Sequence, residues 1–408
     1  MPRRRTDEQG GGFPFEQYGF AIGGPLVSGM VDWMAQKMRT TPPQKILFLA
    51  RDGQVVQEVW RRRVPADLAG IPTQYVLASR RALRMAAMRS LDAVALDFLT
   101  AMPFGLTPSD LLERVGIRPK AEKNAPASAH PWRCERLPPD KRAHAHAYLQ
   151  RFEEPLLRQA QEERLAYTTY LREALPENPN PIALVDIGWH GSLQTALSEL
   201  LPETSTPRLL NGYYLGLFAA AKGAPSSAGS RHGFLLDQGA PTGREKEIRR
   251  FVEILELFFS SPDPSLLHFR LDEHGCAQPV FSEMEHRPAQ LHALGQIRAG
   301  ILRFAETHTS PVTAPHAYRE ARRLGLFPTT TEAAAFGEFR LPRGFGKSPP
   351  LPDPKSAQMK PLASSTAFSP SPRKRRPSVS VRFTTPTDTE PSSFTPAWPA
   401  PPASAASA

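Results

Sequence analysis

"ALVDIGWHGSLQ", residues 183–194, runs from an apolar segment through an acid and two glycines into a second apolar pattern. A short apolar run bounded by turn residues is typical of a strand that is buried on both faces. The leucines that follow recur at helical spacing, at positions 193, 197, 200 and 201. This stretch therefore predicts a strand, a glycine-bearing turn and a helix in direct succession.

The same succession occurs twice earlier in the chain. Residues 45–53, KILFLARDG, join an apolar run to a helical pattern, and residues 75–83, YVLASRRAL, do so again. An amphipathic helix over residues 26–38 precedes the first unit, and residues 211–219 and 233–237 are further strand candidates. Alternating helices and buried strands predict a layered α/β fold with a mostly parallel sheet and flanking helices.

The chain is expected to divide into three parts. Residues 1–17 are predicted to be flexible, and residues 18–346 to form the α/β domain. That domain is expected to carry a helical insertion around residues 90–175 and a β-hairpin near residues 266–281. Residues 347–408 contain 14 prolines among mostly Ser, Thr and Ala, so they hold too little apolar surface to offset their ordering entropy. They are predicted to form a disordered, basic, Pro/Ser-rich tail.

The net charge of +10 is a poor guide to function because the tail supplies half of it, with eight basic and three acidic residues. No basic stripe is left on the body, so no specific nucleic-acid binding is expected. The run PRKRRP at 372–377 is compatible with an anionic membrane or nucleic acid. Base rates for charge runs favour a solvated cluster that keeps the tail extended.

Cysteine use and hydropathy indicate a cytoplasmic protein. Cys134 and Cys276 are far apart and have no metal-ligand spacing, which fits a reducing compartment. No stretch approaches the ~20 apolar residues that a membrane span needs. The start of the chain, MPRRRTDEQGGG, has no apolar core after its arginines and is not a secretory signal.

Three predicted strands end in turns that are rich in charged side chains and glycine. Ligands of open parallel sheets bind at the carboxyl ends of the strands, so neighbouring turns would share one rim. The predicted catalytic residues are Asp52, Asp186 and His190. The predicted substrate-binding residues are Arg51, Gly53, Ser79, Arg80, Arg81, Gly188, Trp189, Gly191, Ser192 and Gln194.

These residue types suit a phosphorylated sugar or a nucleotide. The planar fork of arginine matches a phosphate group. Gly188 and Gly191 let the backbone approach a ligand closely, and Ser192 can cap a helix whose free N–H groups attract an anion. Asp52 and Asp186 can hold sugar hydroxyls or a divalent metal, for which Mg²⁺ is the expected ion.

Each residue also has a structural interpretation. Asp52 and Gly53 form a common turn pair, and Ser79 alone can cap a helix, with Arg80 and Arg81 solvated or ion-paired. What favours a functional interpretation is that three such turns occupy equivalent topological positions.

His190, Glu253 and Glu256 also have structural interpretations. His190 beside Trp189 is more often a packed or exposed loop residue than a catalyst. Glu253 and Glu256 belong to a predicted helix over residues 245–259, where a solvated edge is favoured over the rim.

Several segments together resemble a known family. ILFLARDGQVVQEV, YVLASRRAL, LVDIGWHGSLQ, GYYLGL and VEILELFFSSPDPSLLHF are similar to the C-terminal half of large bacterial proteins, over about residues 18–346. Those proteins are predicted hydrolases of the haloacid-dehalogenase-like (HAD) superfamily, often encoded among surface-polysaccharide genes. The resemblance implies a phosphate-handling protein of polysaccharide biosynthesis, either a phosphate-ester hydrolase or a phosphosugar transferase.

The resemblance has one clear departure. In the relatives, a signature of two aspartates spaced two residues apart lies in an N-terminal domain and serves as nucleophile and acid/base. Here Gln54 stands two residues after Asp52, and Gly188 stands two residues after Asp186. Neither turn supplies the second carboxylate.

Three alternatives remain open at this point. One is a non-catalytic interaction or scaffolding module of a polysaccharide-synthesis complex, which the tail would dock to a glycosyltransferase or a membrane-associated partner. Another is a phosphoribosyltransferase-like enzyme, because residues 183–194 share that order of strand, acid, glycine turn and helix. A third is a hydrolase whose missing acids come from a separate partner domain.

Overall fold

Five parallel strands form the central sheet in a computed structural model of the chain. The structure describes residues 13–100, 111–112, 115–116, 142–175, 179–201, 209–223, 229–239, 242–284 and 286–339. The strands are β1 (Lys45–Leu49), β2 (Thr73–Val76), β3 (Ile182–Trp189), β4 (Leu210–Leu217) and β5 (Ser230–Leu236). Their order across the sheet is β2-β1-β3-β4-β5. The predicted mostly parallel α/β fold is confirmed.

The central strands are mostly apolar because both faces of the sheet are covered. In β1, Ile46 and Phe48 belong to the hydrophobic core on one face, and Leu47 and Leu49 to the core on the other. All four are fully buried. The continuous apolar run in the sequence therefore reflects two cores, since successive side chains of a strand point to opposite faces.

Helices cover both faces of the sheet. The chain begins with α1 (Phe15–Tyr18), continues through a π-helical turn (Gly19–Gly23) and enters α2 (Gly24–Met38). This first face also carries α3 (Gly53–Arg63), α9 (Thr242–Ile248), α10 (Val252–Phe259), α11 (Pro288–Thr307), α12 (Ala314–Leu326) and α13 (Thr330–Gly337). The second face carries α4 (Arg80–Ala87), α7 (Glu153–Ala174) and α8 (Ser192–Leu200).

A third core lies beside the sheet, in the region of the predicted helical insertion. It contains buried side chains from α5 (Ala93–Thr100), α6 (Arg142–Gln150) and the start of α7. The predicted hairpin is present as β6 (Leu266–Leu271) paired antiparallel with β7 (Ala277–Phe281). It packs on α7 through Phe269, whose ring stacks on Tyr170 at a centroid distance of 4.3 Å.

Two predictions about boundaries are wrong. The sequence predicts a flexible start over residues 1–17, but residues 13–17 are ordered, because Phe13 and Phe15 pack against the ring of Phe336. The single helix over residues 245–259 is two helices, α9 and α10, separated at Phe251, whose buried ring anchors the break. The predicted tail, residues 347–408, lies outside the described residues.

Within the described parts of the chain, no helix combines the length and apolar character that crossing a bilayer requires.

Candidate active site at the carboxyl edge of the sheet

The three charged turns lie side by side because β1 sits between β2 and β3 in the sheet. The helix after β1, α3, packs on one face, and the helix after β3, α8, packs on the other. The carboxyl ends of β1 and β3 therefore mark the topological switch point of the sheet, and open α/β sheets bind their ligands in the crevice at such a point. Asp52 follows β1, Asp186 lies within β3 three residues before its end, and Arg80 begins the helix after β2.

Asp52 and Asp186 are carboxyls whose pKa values lie above the usual range, chiefly because of burial. Asp186 is buried and Asp52 is half-buried. Burial raises the pKa of Asp52 to about 8, with further increases from the charges of Asp186 and Glu256. Burial raises the pKa of Asp186 to about 6, against hydrogen bonds from the backbone N–H groups of Ile187 and Gly188. The Ile187 bond to Oδ1 measures 2.9 Å. Such perturbed acids in a crevice are typical of functional sites.

Glu256 on α10 is the third carboxyl of the cluster. The indole Nε1 of Trp189 donates a 3.1 Å hydrogen bond to its Oε1. Burial raises the pKa of Glu256, while this hydrogen bond and the charge of Arg80 lower it. The assignment of Glu256 to a solvated edge is therefore wrong, since α10 turns this residue inward while Glu253 is exposed.

Trp189 is a buried residue of the site. It holds Glu256 by a hydrogen bond and packs against a neighbouring ring. Its ring is buried and stacks on Phe218 with 4.9 Å between centroids. The residue holds a left-handed backbone with φ of 69°. Positive φ is uncommon for a bulky side chain, so the surrounding contacts fix this turn geometry.

Arg80 is the cation shared by all three carboxyls. Its charge lowers the pKa values of Asp52, Asp186 and Glu256. The side chain is exposed, and it makes no hydrogen bond or ion pair with any residue that the structure describes. Ser79 sets the start of its helix, because Oγ accepts a 2.9 Å hydrogen bond from the N–H of Ala82. The capping interpretation of Ser79 is confirmed, and Arg80 is left available to a ligand.

Arg51 lies on the other flank of Asp52, where it reaches the loop before β6. Its Nη1 donates to the carbonyl oxygen of Asp263 at 3.3 Å, and its charge lowers the pKa of Asp52. Gln54 fastens the same loop, with Nε2 donating to Asp263 Oδ2 at 3.1 Å. Its Oε1 accepts from Ser261 Oγ at 2.9 Å and from Arg298 Nη1 at 2.7 Å. Gln54 is thus a structural residue that holds the loop before β6 next to the start of α3.

Three glycines, in β3 and in the turns after β1 and β3, allow a close approach between neighbouring segments. Gly188 has φ of 93°, and an added Cβ would lie 2.5 Å from the Tyr214 ring. Gly191 has φ of 63°, and a Cβ there would lie 2.5 Å from Nε of Arg231. Gly53 is also tight, since its Cβ would come within 2.9 Å of the backbone of Phe48. All three glycines therefore serve protein packing at the turns, whether or not they also face a ligand.

The predicted capping role of Ser192 is wrong. Gly191 is the N-cap of α8, no side chain caps it, and Ser192 is the first helical residue. The left-handed backbone of Gly191 places the chain reversal one residue earlier than the sequence pattern indicates.

Arg81 and Gln194 belong to the interior rather than to the rim. Arg81 forms an ion pair with Glu163 on α7, with both side chains 3% exposed, and donates to the carbonyl oxygen of Leu267 at 2.8 Å. Gln194 is fully buried, and its Oε1 accepts a 2.6 Å hydrogen bond from Tyr214. Its Nε2 donates to the carbonyl oxygens of β4 and β5. Their prediction as substrate-binding residues is corrected, because burial and internal partners remove both from the crevice.

His190 is exposed beside the carboxyl cluster. Its ring meets the Phe218 ring edge-on at 5.6 Å. Partial burial and the charges of Arg80 and Arg249 lower its pKa, so the neutral imidazole is favoured. In that form it can accept or donate a single hydrogen bond on each side of the ring.

The sequence patterns do not predict Arg249 or Gln54 as residues of this site. Arg249 lies between two helices, outside every strand-turn-helix unit, and its neighbour Arg250 carries the same side chain. The only available signal was the placement of basic residues just before the apolar helix α10.

The carboxyls at this site fit a divalent metal that also takes ligands from water and substrate. Among the described residues, no three His, Cys, Asp or Glu side chains are grouped so that they could hold a metal ion by themselves. Mg²⁺, however, usually binds one or two carboxylates and completes its shell with waters and substrate phosphate. Asp52 and Asp186 supply such a pair of oxygen ligands.

Comparison of the sequence with protein-family models and with curated proteins found no match.

Removing the charge of Asp52 is expected to stabilise the protein. The folded state raises this pKa from 3.8 to about 8, because it favours the protonated carboxyl over the ionised one. The protonated carboxyl therefore stabilises the native state fully below pH 3.8, and this stabilisation is lost as the pH rises to about 8. Asp52→Asn should therefore match the wild type near pH 4 and exceed its Tm at pH 8, in EDTA, by on the order of 5 °C. Calorimetry across this pH range measures the difference.

The exposed Asp237 provides the control for this measurement. Asp237→Asn should change the Tm by less than about 2 °C at every pH, as surface substitutions do. A Tm difference between Asp52→Asn and the wild type that stays constant from pH 4 to pH 8 would contradict the raised pKa.

Proposed function

We propose that this protein binds a phosphorylated sugar or a nucleotide, with Mg²⁺, in the crevice between the ends of β1 and β3. The observation that carries the proposal is the meeting of Asp52, Asp186 and Glu256 with the unpaired Arg80 at the switch point of a parallel sheet. Carboxyls that repel one another in a buried crevice gain from a cation or from hydroxyl donors. An arginine without a protein partner gains from a phosphate.

The proposed roles follow from the environment of each side chain. Asp52 and Asp186 would hold Mg²⁺, which when bound neutralises phosphate charge and polarises its oxygens. Arg80 would bind the phosphate, and Arg51 would hold the loop at Asp263 against the crevice. Glu256, with Oε1 held by Trp189, would exchange a proton with a substrate oxygen through Oε2, and burial raises its pKa toward the range that such a role needs.

The proposed reaction class is phosphate-ester hydrolysis or phosphosugar transfer in surface-polysaccharide biosynthesis. Its support is the resemblance to HAD-like hydrolases together with the acid cluster. Glu256 supports this class in particular, because it brings a third carboxyl to Asp52 from a different part of the chain. A second acid two residues after Asp52 would then not be needed for proton transfer, because Glu256 would supply that carboxyl.

A thermal-shift screen tests the binding proposal. Sugar monophosphates and nucleotides are expected to raise the Tm with Mg²⁺ present and to raise it much less in EDTA. A ligand at a hundred times its Kd adds ~2.7 kcal/mol to the stability of the native state, which corresponds to a shift of several degrees. Free sugars and nucleosides serve as the uncharged controls. No shift with any phosphorylated compound would count against the proposal.

A further inference from the structure

The ring of Phe218, directly after β4, brings two basic side chains together beside the carboxyl cluster. The ring is buried, with Trp189 stacked on it at 4.9 Å. His190 meets it edge-on at 5.6 Å. The guanidinium carbon of Arg249 lies 3.8 Å from its centroid. Two basic groups from distant parts of the chain therefore share one aromatic support.

Arg249 is held in a fixed orientation and keeps donors free. Glu245 Oε1 accepts from its Nε at 3.0 Å and from its Nη2 at 2.7 Å. Oε2 of the same glutamate accepts a 2.9 Å hydrogen bond from the N–H of Ala219, so the carboxylate is itself anchored to the backbone. Nη1 has no partner among the described residues, and the Arg249 side chain is 45% exposed. An oriented guanidinium with free N–H groups is a preformed oxyanion-binding group.

Arg80, the first residue of α4, is the third basic side chain near His190. The charges of Arg80 and Arg249 both lower the pKa of His190. A bound anion would interact favourably with both guanidinium groups and with the N–H of the neutral imidazole. Arg80 also acts on the three carboxyls, so it stands at the boundary between the basic side of the crevice and its acidic side.

We propose that Arg249, His190 and Arg80 bind the dianionic phosphate of a sugar monophosphate, whose hydroxyl groups then face Asp52, Asp186 and Glu256. The placement of the sugar rests on the proposed function, whereas the phosphate subsite stands on the arrangement around Phe218. Arg249 and His190 would then contact the phosphate directly. The ligand would lie across the crevice, with its phosphate at the basic side chains and its sugar at the carboxyls.

Titration calorimetry with inorganic phosphate tests the subsite without any assumption about the sugar. Inorganic phosphate is expected to bind the wild type at millimolar concentrations. Arg249→Gln should weaken this binding by about ten- to a hundred-fold, since a hydrogen bond between charged groups contributes about 1.5–3 kcal/mol. Arg249→Lys should lie between the two, because it keeps the charge and loses the fork.

The adjacent Arg250 is the matched control, since it is also exposed and its substitution removes the same charge from the same short segment. Arg250→Gln should leave phosphate binding within about twofold. Equal binding by Arg249→Gln and the wild type, equal losses in both variants, or no phosphate binding by the wild type would each overturn the subsite.

Glucose 1-phosphate separates this proposal from the proposed function. It is expected to bind more tightly than inorganic phosphate, and only this gain should be lost in Asp186→Asn. If inorganic phosphate binds in an Arg249-dependent way and glucose 1-phosphate gains nothing, the subsite holds and the sugar-phosphate function fails. If glucose 1-phosphate binds without any dependence on Arg249, the subsite fails and the proposed function survives.

Discussion

Asp186→Asn is expected to reduce the affinity for a sugar phosphate in the presence of Mg²⁺ by more than about a hundredfold, since altering even the second-shell partners of a metal commonly costs 10–100-fold. The amide retains the shape of the side chain and can still accept the 2.9 Å hydrogen bond from the N–H of Ile187. It loses the charge that would hold Mg²⁺. Calorimetric titration with the compound that gives the largest thermal shift measures the loss.

The fold should survive this substitution. Burial raises the pKa of Asp186 to about 6, so at pH 8 the wild type carries an ionised group that the folded state disfavours. Asp186→Asn should therefore melt at or above the wild-type temperature in EDTA, and Asp237→Asn again provides the surface control. Binding that is unaltered in a folded Asp186→Asn protein would remove Asp186 from the site.

Breaking the buried ion pair between Arg81 and Glu163 is expected to have the largest effect on stability. Each side chain is 3% exposed, so removing one partner leaves the other charge without compensation in the interior. Arg81→Leu should destabilise the protein by about 3–5 kcal/mol. At this size, that corresponds to a fall in Tm on the order of 10 °C. Urea unfolding followed by circular dichroism measures the free energy.

A double variant separates the charge effect from packing. Arg81→Leu combined with Glu163→Leu removes both charges, and well-packed apolar replacements of a buried pair are often neutral. The double variant should recover most of the lost stability and bind inorganic phosphate as the wild type does. Weaker phosphate binding by a folded double variant would restore Arg81 as a ligand-binding residue and contradict its interior placement.

The fold was largely predictable because its signals are local. The apolar runs that became β1 and β3, and the helical spacing after each, are properties of short segments. The wrong boundaries arose where a distant ring decided the outcome. Phe336 orders the start of the chain, and the burial of Phe251 splits the helix predicted over 245–259.

The candidate site was partly predictable for a topological reason. Neighbouring parallel strands end at the same edge, so the turns containing Asp52, Arg80 and Asp186 could be expected to meet once the strands were identified. Glu256 and Arg249 come from a segment that follows the five-stranded sheet. No local pattern says where such a segment packs.

By itself, the sequence determined the parallel α/β architecture and the charged turns at its carboxyl edge, since periodicity and turn residues act over a few positions. Only the tertiary structure decided which of two adjacent arginines faces the crevice. Successive helical residues point about 100° apart, and the packing of α4 against α7 turns Arg81 inward to Glu163 while Arg80 stays at the rim. The rotation of a helix about its axis is set by what it packs against, and those contacts come from residues far away in the chain.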